Sequence, residues 1–389
     1  MSHNELKDLL EDASAAVQAP SLAHSSWAHA RKIKRRRYAG TAVAAAVLPI
    51  LAVLLPAVSP SPPPVVTPTP AVLAPEVQQL PSTMPERLVA PLPAVGADLV
   101  PSDFQPLSRH PIDAAMAVVQ ATPEETGDQP QPIYALAPDG LWVQIDVGDL
   151  TFTHDEGGNQ AAPLRPLSLS PDRRRVALPQ PQAVVVVDLT TAKAHRIAVP
   201  GLNEQVAWQD DTTVLVGAGG PGASAVDWAA GTIAPLPAAL SLWDSVGFRD
   251  GTFIELPATR RELRTWHPDE ATPVRSTGLT DPPGYAVNEW YGSPITDGAR
   301  VVRGSWGSTP TQGYEAIAVV GADDGVVERV LDLGPGRWKG CCKPLTFLGA
   351  DTVLVQTERD AVIAWNFRTG AVQVVTSGPF SGILSIRAP

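Results

Sequence analysis

One unit of about 40 residues recurs, loosely, through most of the chain. Its clearest copy is LSLSPDRRRVALPQPQAVVVVDLTTAKAHRIAVPG, residues 167–201. A short strand leads into a tight turn carrying Asp, then a strongly apolar strand. A second β-run follows, then a polar turn and a fourth strand. Further copies begin VAWQDDTTVLVG, VGFRDGTFIEL, SPITDGARVVRG and FLGADTVLVQT. Their turn aspartates are Asp172, Asp210, Asp250, Asp297 and Asp351, at spacings of 38, 40, 47 and 54. The third strands read AVVVVDL, ASAVDWA, ELRTWHP, EAIAVVG and AVIAWNF, and the turns after them include Asp323-Asp324-Gly325 and Thr369-Gly370. Asp and Gly suit these places because tight hairpins need turn-compatible or left-handed backbone angles.

Four strands in about 40 residues describe one blade of a β-propeller. A single blade leaves both faces bare, and stacking around an axis buries them. Five full copies leave the two ends to be explained. AMAVVQA, PIYALA and LWVQIDV, near the start of the repeats, match the second, third and fourth strands of a blade. The C-terminal GILSIRAP supplies one strand more. Joined, they close a ring of six blades and remove the open edges that a linear array would expose. The expectation is an all-β fold, a six-bladed propeller over residues 112–389. Seven blades is the alternative if residues 84–130 hold further strands.

Leu169-Ser170-Pro171-Asp172, followed by RRRVAL and VVVVDLTT, resembles the repeat of TolB-type and WD-repeat-like propellers. The resemblance spans most of residues 112–389, and the copy at 167–201 is nearest to consensus. Arg173 stands where such repeats usually place Gly after the turn Asp. Propellers of this kind serve unrelated functions, so the resemblance implies a fold and a binding surface rather than a job.

Upstream, Ala39 to Val58 read AGTAVAAAVLPILAVLLPAV, twenty residues without a charge. As a helix they would extend roughly 30 Å, the thickness of the hydrocarbon core. Arg31, Lys32, Lys34, Arg35, Arg36 and Arg37 precede them. Positive charge stays on the cytoplasmic side, so residues 1–38 are expected inside and residues 59–389 outside the plasma membrane, in a single pass. The same cations would meet anionic lipid headgroups. Ala57-Val58-Ser59 offers small residues for signal-peptide cleavage. Against cleavage stand the long preceding segment, its own helical pattern, and Pro60 just after the cut. The layout resembles that of actinobacterial single-pass membrane proteins with an external propeller, some of which lie near sigma-factor regulation.

Within residues 1–38, Ser2 and Glu5 have capping-box spacing, and Leu6, Leu9, Leu10, Ala13 and Val17 recur at helical spacing. That amphipathic segment is either a solvated or membrane-surface helix or a docking helix for a cytoplasmic protein. Residues 59–111 form a proline-rich linker. Pro60, Pro62, Pro63, Pro64, Pro68 and Pro70 exclude helix and central strand and favour an extended spacer. Residues 84–108 are less proline-dense and could lie along the propeller surface.

The formal net charge is −11. Residues 1–38 carry seven Lys/Arg against four Asp/Glu, so the remainder is more acidic still. Nucleic acid needs clustered cations for its phosphates, and the one cluster sits beside the membrane span. Nucleic acid is therefore excluded as a partner. No His lies in a metalloprotease motif, and Ser224 only approaches a nucleophile elbow. No motif calls for a cofactor or metal, and no Ser/His/Asp or paired-carboxylate spacing points to catalysis.

Two features remain as site candidates. Trp290, Tyr291, Trp306, Tyr314 and Trp338 fall within fifty residues, among glycine-rich stretches such as GSWGSTPTQGY. Aromatic faces on loops bind sugars or peptides, so Trp290, Tyr291, Trp306 and Trp338 are candidate contacts for a protein or carbohydrate outside the membrane. The competing account is packing between blades. Cys341 and Cys342 are adjacent. They could be thiols, a vicinal disulfide, or an intermolecular or metal link.

Overall fold

The computed structural model describes residues 76–389, apart from 95–97, 122–128, 155–157, 219–221, 250–251, 260, 310–311, 338, 358–361, 377–379, 381 and 388–389. The segments expected to be cytoplasmic and membrane-spanning, residues 1–58, and the most proline-dense part of the linker lie outside these residues. Among the described residues no helix is long and apolar enough to cross a membrane.

The described chain is β-structure throughout. The third blade pairs Gln205–Trp208, Thr213–Gly217, Ser224–Asp227 and Thr232–Pro235 in chain order, antiparallel. The fourth pairs Ser245–Arg249, Thr252–Glu255, Glu262–Trp266 and Arg275–Gly278. The fifth pairs Ala286–Thr296, Arg300–Ser308, Gly313–Gly321 and Val327–Asp332. The sixth pairs Lys343–Phe347, Thr352–Gln356, Val362–Asn366 and Val372–Thr376. In the second blade Arg175–Gln180, Ala183–Asp188 and Lys193–Ala198 make a sheet, and the innermost strand shrinks to one bridge between Leu169 and Val176.

The first blade closes the ring. Its sheet runs Gly382–Ile386, Ala117–Ala121, Ile133–Leu136, Trp142–Gln144, so the last described strand pairs with one more than 260 residues earlier (Ser385 faces Val118 in register). This is a six-bladed β-propeller, with three strands of one blade from the front of the chain and one from the back.

Burial follows strand position within a blade. Ala183–Asp188, second from the outside, is buried along its whole length, whereas Lys193–Ala198 at the outer edge is mostly exposed. Thr232–Pro235, the outer strand of the third blade, is exposed throughout. The apolar run AVVVV therefore has protein on both faces, which is why its sequence does not alternate. Asp172, Asp210 and Asp297 make the expected turns: each carboxylate accepts the backbone N–H two residues on, and Asp210 and Asp297 also accept the third. Asp250 lies outside the described residues. Arg173, in the place usually held by Gly, has φ of 64°, the left-handed conformation Gly would adopt without steric penalty.

Residues 76–106 join the propeller from outside. Val77–Gln79 adds a parallel strand to the outer edge of the fifth blade, Glu86 bridges Val374 on the sixth, and Gln105–Pro106 pairs with Trp142–Gln144 on the first. The segment thus covers three consecutive outer edges and buries Leu92, Leu99 and Leu107. Its strands extend existing blades, and among the described residues no seventh sheet of four strands is formed. The folded body therefore begins well before residue 112.

Candidate functional site

The innermost strands line the axis, so their starts converge at one mouth of the central channel. There a cavity of about 530 Å³ opens. Ile383 comes from the first blade, Arg165 and Pro166 from the second, Gln205 from the third, Trp243 from the start of the fourth, Tyr291 and Ser293 from the fifth, and Lys343 from the sixth. A smaller cavity of about 290 Å³ lies where the same strands end, lined by Leu167, Trp208, Ile295, Phe347 and Arg387 among others.

Two cations dominate the larger cavity. Arg165 donates from Nε to the Glu204 carbonyl and from Nη2 to Thr153 Oγ1 at 3.3 Å. Burial brings its guanidinium down to about 10, although Glu204 opposes the shift. Burial also lowers the Lys343 ammonium, and the positive charge of Arg165 lowers it further. Among the described residues no carboxylate forms an ion pair with either. Among the described residues the lining carries one acid, Glu289. Its carboxylate accepts from Lys339 Nζ at 2.8 Å and from the Tyr291 hydroxyl, and these bonds hold it below the usual carboxylate range. Burial and then the bond to Glu289 raise the Tyr291 phenol.

The aromatic candidates divide. Trp290, 3% exposed, packs with Ile254, Leu263, Val301 and Ala316 in the core between the fourth and fifth blades. Its remaining surface lines the cavity. Tyr291 is half-buried and faces the cavity. Trp306 is half-buried on the neighbouring strand, directly opposite Glu289 in register. Lys339 Nζ lies 5.5 Å from the Trp306 ring centroid while bonding Glu289, so it ties Trp306 and Tyr291 into one cluster. Trp306 does not line the cavity. Trp338 lies outside the described residues.

Cys341 and Cys342 form a vicinal disulfide, with S–S 2.02 Å and Cα atoms 3.7 Å apart. Cys342 is buried and Cys341 half-buried. The pair sits in the chain between Gly340 and Lys343, both cavity-lining. Gly304 faces it: a Cβ there would stand 2.7 Å from the Cys342 carbonyl oxygen, so only glycine lets this stretch approach the fifth blade. Gly313 serves a similar end, since a Cβ would meet the Trp306 ring at 2.8 Å. Part of the glycine richness of GSWGSTPTQGY is therefore close packing.

No family model matches the chain, and no curated protein matches it. Solved structures do. The WD40 β-propeller domain of Doa1 is 14% identical, over 68% of this chain and 79% of that one, with a TM-score of 0.41. Hydrazine synthase of Kuenenia stuttgartiensis is 9% identical, over 61% and 70%, with a TM-score of 0.41. A chain of the Mitotic Checkpoint Complex is 13% identical, over 59% and 69%, with a TM-score of 0.40. The sheet order alone carries the assignment as a propeller, and these likenesses say nothing of a ligand.

Reasoning from sequence overlooks Arg165, Gln205, Trp243 and Lys343. A signal for them exists. Arg165, Gln205, Trp243, Tyr291 and Lys343 stand seven, five, seven, six and eight residues before the turn aspartates of their own repeats. Aligning the copies on that Asp and asking which residues open each first strand would have gathered the cavity wall.

Proposed function

We propose that this chain is a membrane-anchored, extracytoplasmic binding or sensing module whose ligand enters the mouth of the propeller channel and leaves unchanged. The observation that carries this reading is the cavity itself: all six blades supply its wall, and its single acid, Glu289, is already held by Lys339 and Tyr291. General acid–base chemistry wants paired groups of separated pKa within reach of a substrate. A cavity walled by aromatic, apolar and fixed polar groups suits recognition. The basic run before the uncharged span at 39–58 supports anchoring with the propeller outside and contact with anionic lipid.

Two experiments test this reading. Protease applied to intact spheroplasts should remove the propeller; its survival would overturn the orientation. A thermal-shift screen of the full chain against sugars and peptides should yield a ligand whose effect disappears when Ser293→Trp fills the cavity. Conversion of such a ligand to product would make the protein a propeller enzyme instead.

The leucine pattern of residues 1–38 favours a further role, as a docking helix for a cytoplasmic regulator such as a sigma factor. Affinity capture with residues 1–38 tests it, and recovery of no transcription regulator would remove that role.

A further inference from the structure

We propose that the channel mouth binds a small ligand bearing a single carboxylate, its anionic group held between Arg165 and Lys343 and its flat body against Tyr291 and Trp243. This inference rests on the binding reading above and narrows it to one ligand chemistry.

Three observations converge. First, Arg165 and Lys343 reach one cavity from separate blades, close enough for one charge to depress the other's pKa. Two like charges brought together in a partly shielded cavity repel, and the Glu204 charge that acts on Arg165 offsets this only in part, so an anion between them would relieve it. Lys343 makes no side-chain hydrogen bond or ion pair among the described residues, and Arg165 keeps Nη1 without an acceptor there. Second, Gln205 lines the same wall at 4% exposure, and its side-chain amide has no partner among the described residues. Its amide is not sealed from solvent, so at this wall it can exchange cavity water for a ligand oxygen beside the two cations. Third, Trp243 is 39% exposed, and it and Tyr291 both line the cavity. Such rings offer flat apolar surface to a sugar or aromatic ring.

The charge pattern sets the ligand's valence. Arg165 has committed Nε and one N–H of Nη2 to protein acceptors, which leaves three guanidinium N–H groups, the Lys343 ammonium and the Gln205 amide to meet ligand oxygens. Glu204, close enough to oppose the Arg165 shift, and Glu289 on the fifth-blade side both add negative charge. A phosphate dianion would meet about twice the repulsion from these acids that a single carboxylate meets.

The test is titration calorimetry on the full chain in detergent, with two matched pairs as probes: glucuronate against glucose, and benzoate against benzyl alcohol. Inorganic phosphate is the third arm. At least one acid should bind with Kd below about 1 mM and at least tenfold more tightly than its neutral partner. Lys343→Gln should weaken that acid at least tenfold, yet raise the ligand-free melting temperature, because a repelled cation is gone. A merely structural lysine would lower it. Equal binding of acid and neutral partner would overturn the carboxylate while leaving a binding module. Tighter binding of phosphate, indifference to Lys343→Gln, or no binding of either acid would also overturn it. Absence of any cavity ligand in the broader screen would instead remove the parent reading.

Discussion

The Arg175 guanidinium lies 4.5 Å from the centroid of the Trp228 ring, across the seam between the second and third blades. The same residue pairs with Asp172 at 2.7 Å and reaches the Asp211 carbonyl of the next blade at 3.5 Å. Between the fifth and sixth blades Arg300 repeats the arrangement. It pairs with Asp297 at 3.3 Å, donates to the Ala350 carbonyl at 3.2 Å and sits 5.0 Å from the Phe367 ring. In both cases the arginine is three residues past the turn Asp. The repeat thus encodes a turn and, through it, a latch to the following blade.

Arg175→Ala and Arg300→Ala should each destabilise the propeller by ~1–2 kcal/mol, the sum of a partly exposed cation–π contact and charge-assisted hydrogen bonds. Lysine at either position should recover only part, because it lacks the planar fork. Urea midpoints at constant slope measure this. An unchanged midpoint for both alanine variants would show that the latches do not hold the seams.

Arg303 is a more severe case. It is 0% exposed, bonds Asp244 at 2.7 Å and Gly292 O at 2.7 Å, and also donates to Leu256 O, joining the fourth and fifth blades. Arg303→Ala leaves a carboxylate and two carbonyls without their donor, and should destabilise by about 3–5 kcal/mol. Replacing both partners, as Arg303→Met with Asp244→Leu, should cost clearly less than the single change. Equal losses would mean that packing, not charge, matters there.

Closure depends on Ser385. Its hydroxyl donates to Pro166 O and accepts the Leu169 N–H, both at 2.9 Å, so the last strand is tied to the second blade as well as to Ala117–Ala121. Ser385→Ala orphans the buried Leu169 N–H and the part-buried Pro166 carbonyl and should destabilise by roughly 1–3 kcal/mol. Deleting 382–389 removes the whole innermost strand of the first blade and should lower the melting temperature far more. A truncated chain as stable as the full one would mean that the ring needs no clasp.

The blades are legible in sequence because each carries local signals, a turn Asp such as Asp210 and a run such as AVVVV, which need no knowledge of distant residues. The closing strand is legible only by arithmetic: five whole units and two complementary remnants. The cavity is not legible in that way. Arg165 and Lys343 sit at strand starts, where a cation reads as solvent-facing; what buries them is a ring joining residues 178 apart. Trp290 fails in the opposite direction. Its setting beside Tyr291 suggests a loop surface, but it lies within the strand Ala286–Thr296, whose alternation turns it into the core and its neighbour toward the channel.

Acid should unfold this protein through a few identifiable carboxylates. Burial pushes Asp188 up, but hydrogen bonds from Thr190 and Thr191, aided by the Arg175 charge, outweigh it and hold the group below its usual range. Asp210 is lowered in the same way by Thr212 and Thr213 despite its burial. A folded pKa below the unfolded one, about 3.9, gives stability that is complete above that value and is lost as pH falls through the folded pKa. Asp332 has the opposite sign. Burial raises it, and the Gly334 N–H at 2.8 Å offsets this only in part. Its folded form holds the proton more tightly than the unfolded chain, so its contribution is favourable in acid and fades as pH rises through the folded pKa. Asp188→Asn should therefore flatten the acid limb of a melting-temperature profile below about pH 5, where the unfolded carboxylate begins to bind protons, and leave its slope toward pH 7 unchanged. Asp332→Asn, whose amide oxygen can still accept from Gly334, should raise the melting temperature at pH 7, with the difference shrinking toward pH 3. A loss of stability at neutral pH in Asp332→Asn would show that the ionised carboxylate holds the fold together at that point and would reverse the sign assigned to it.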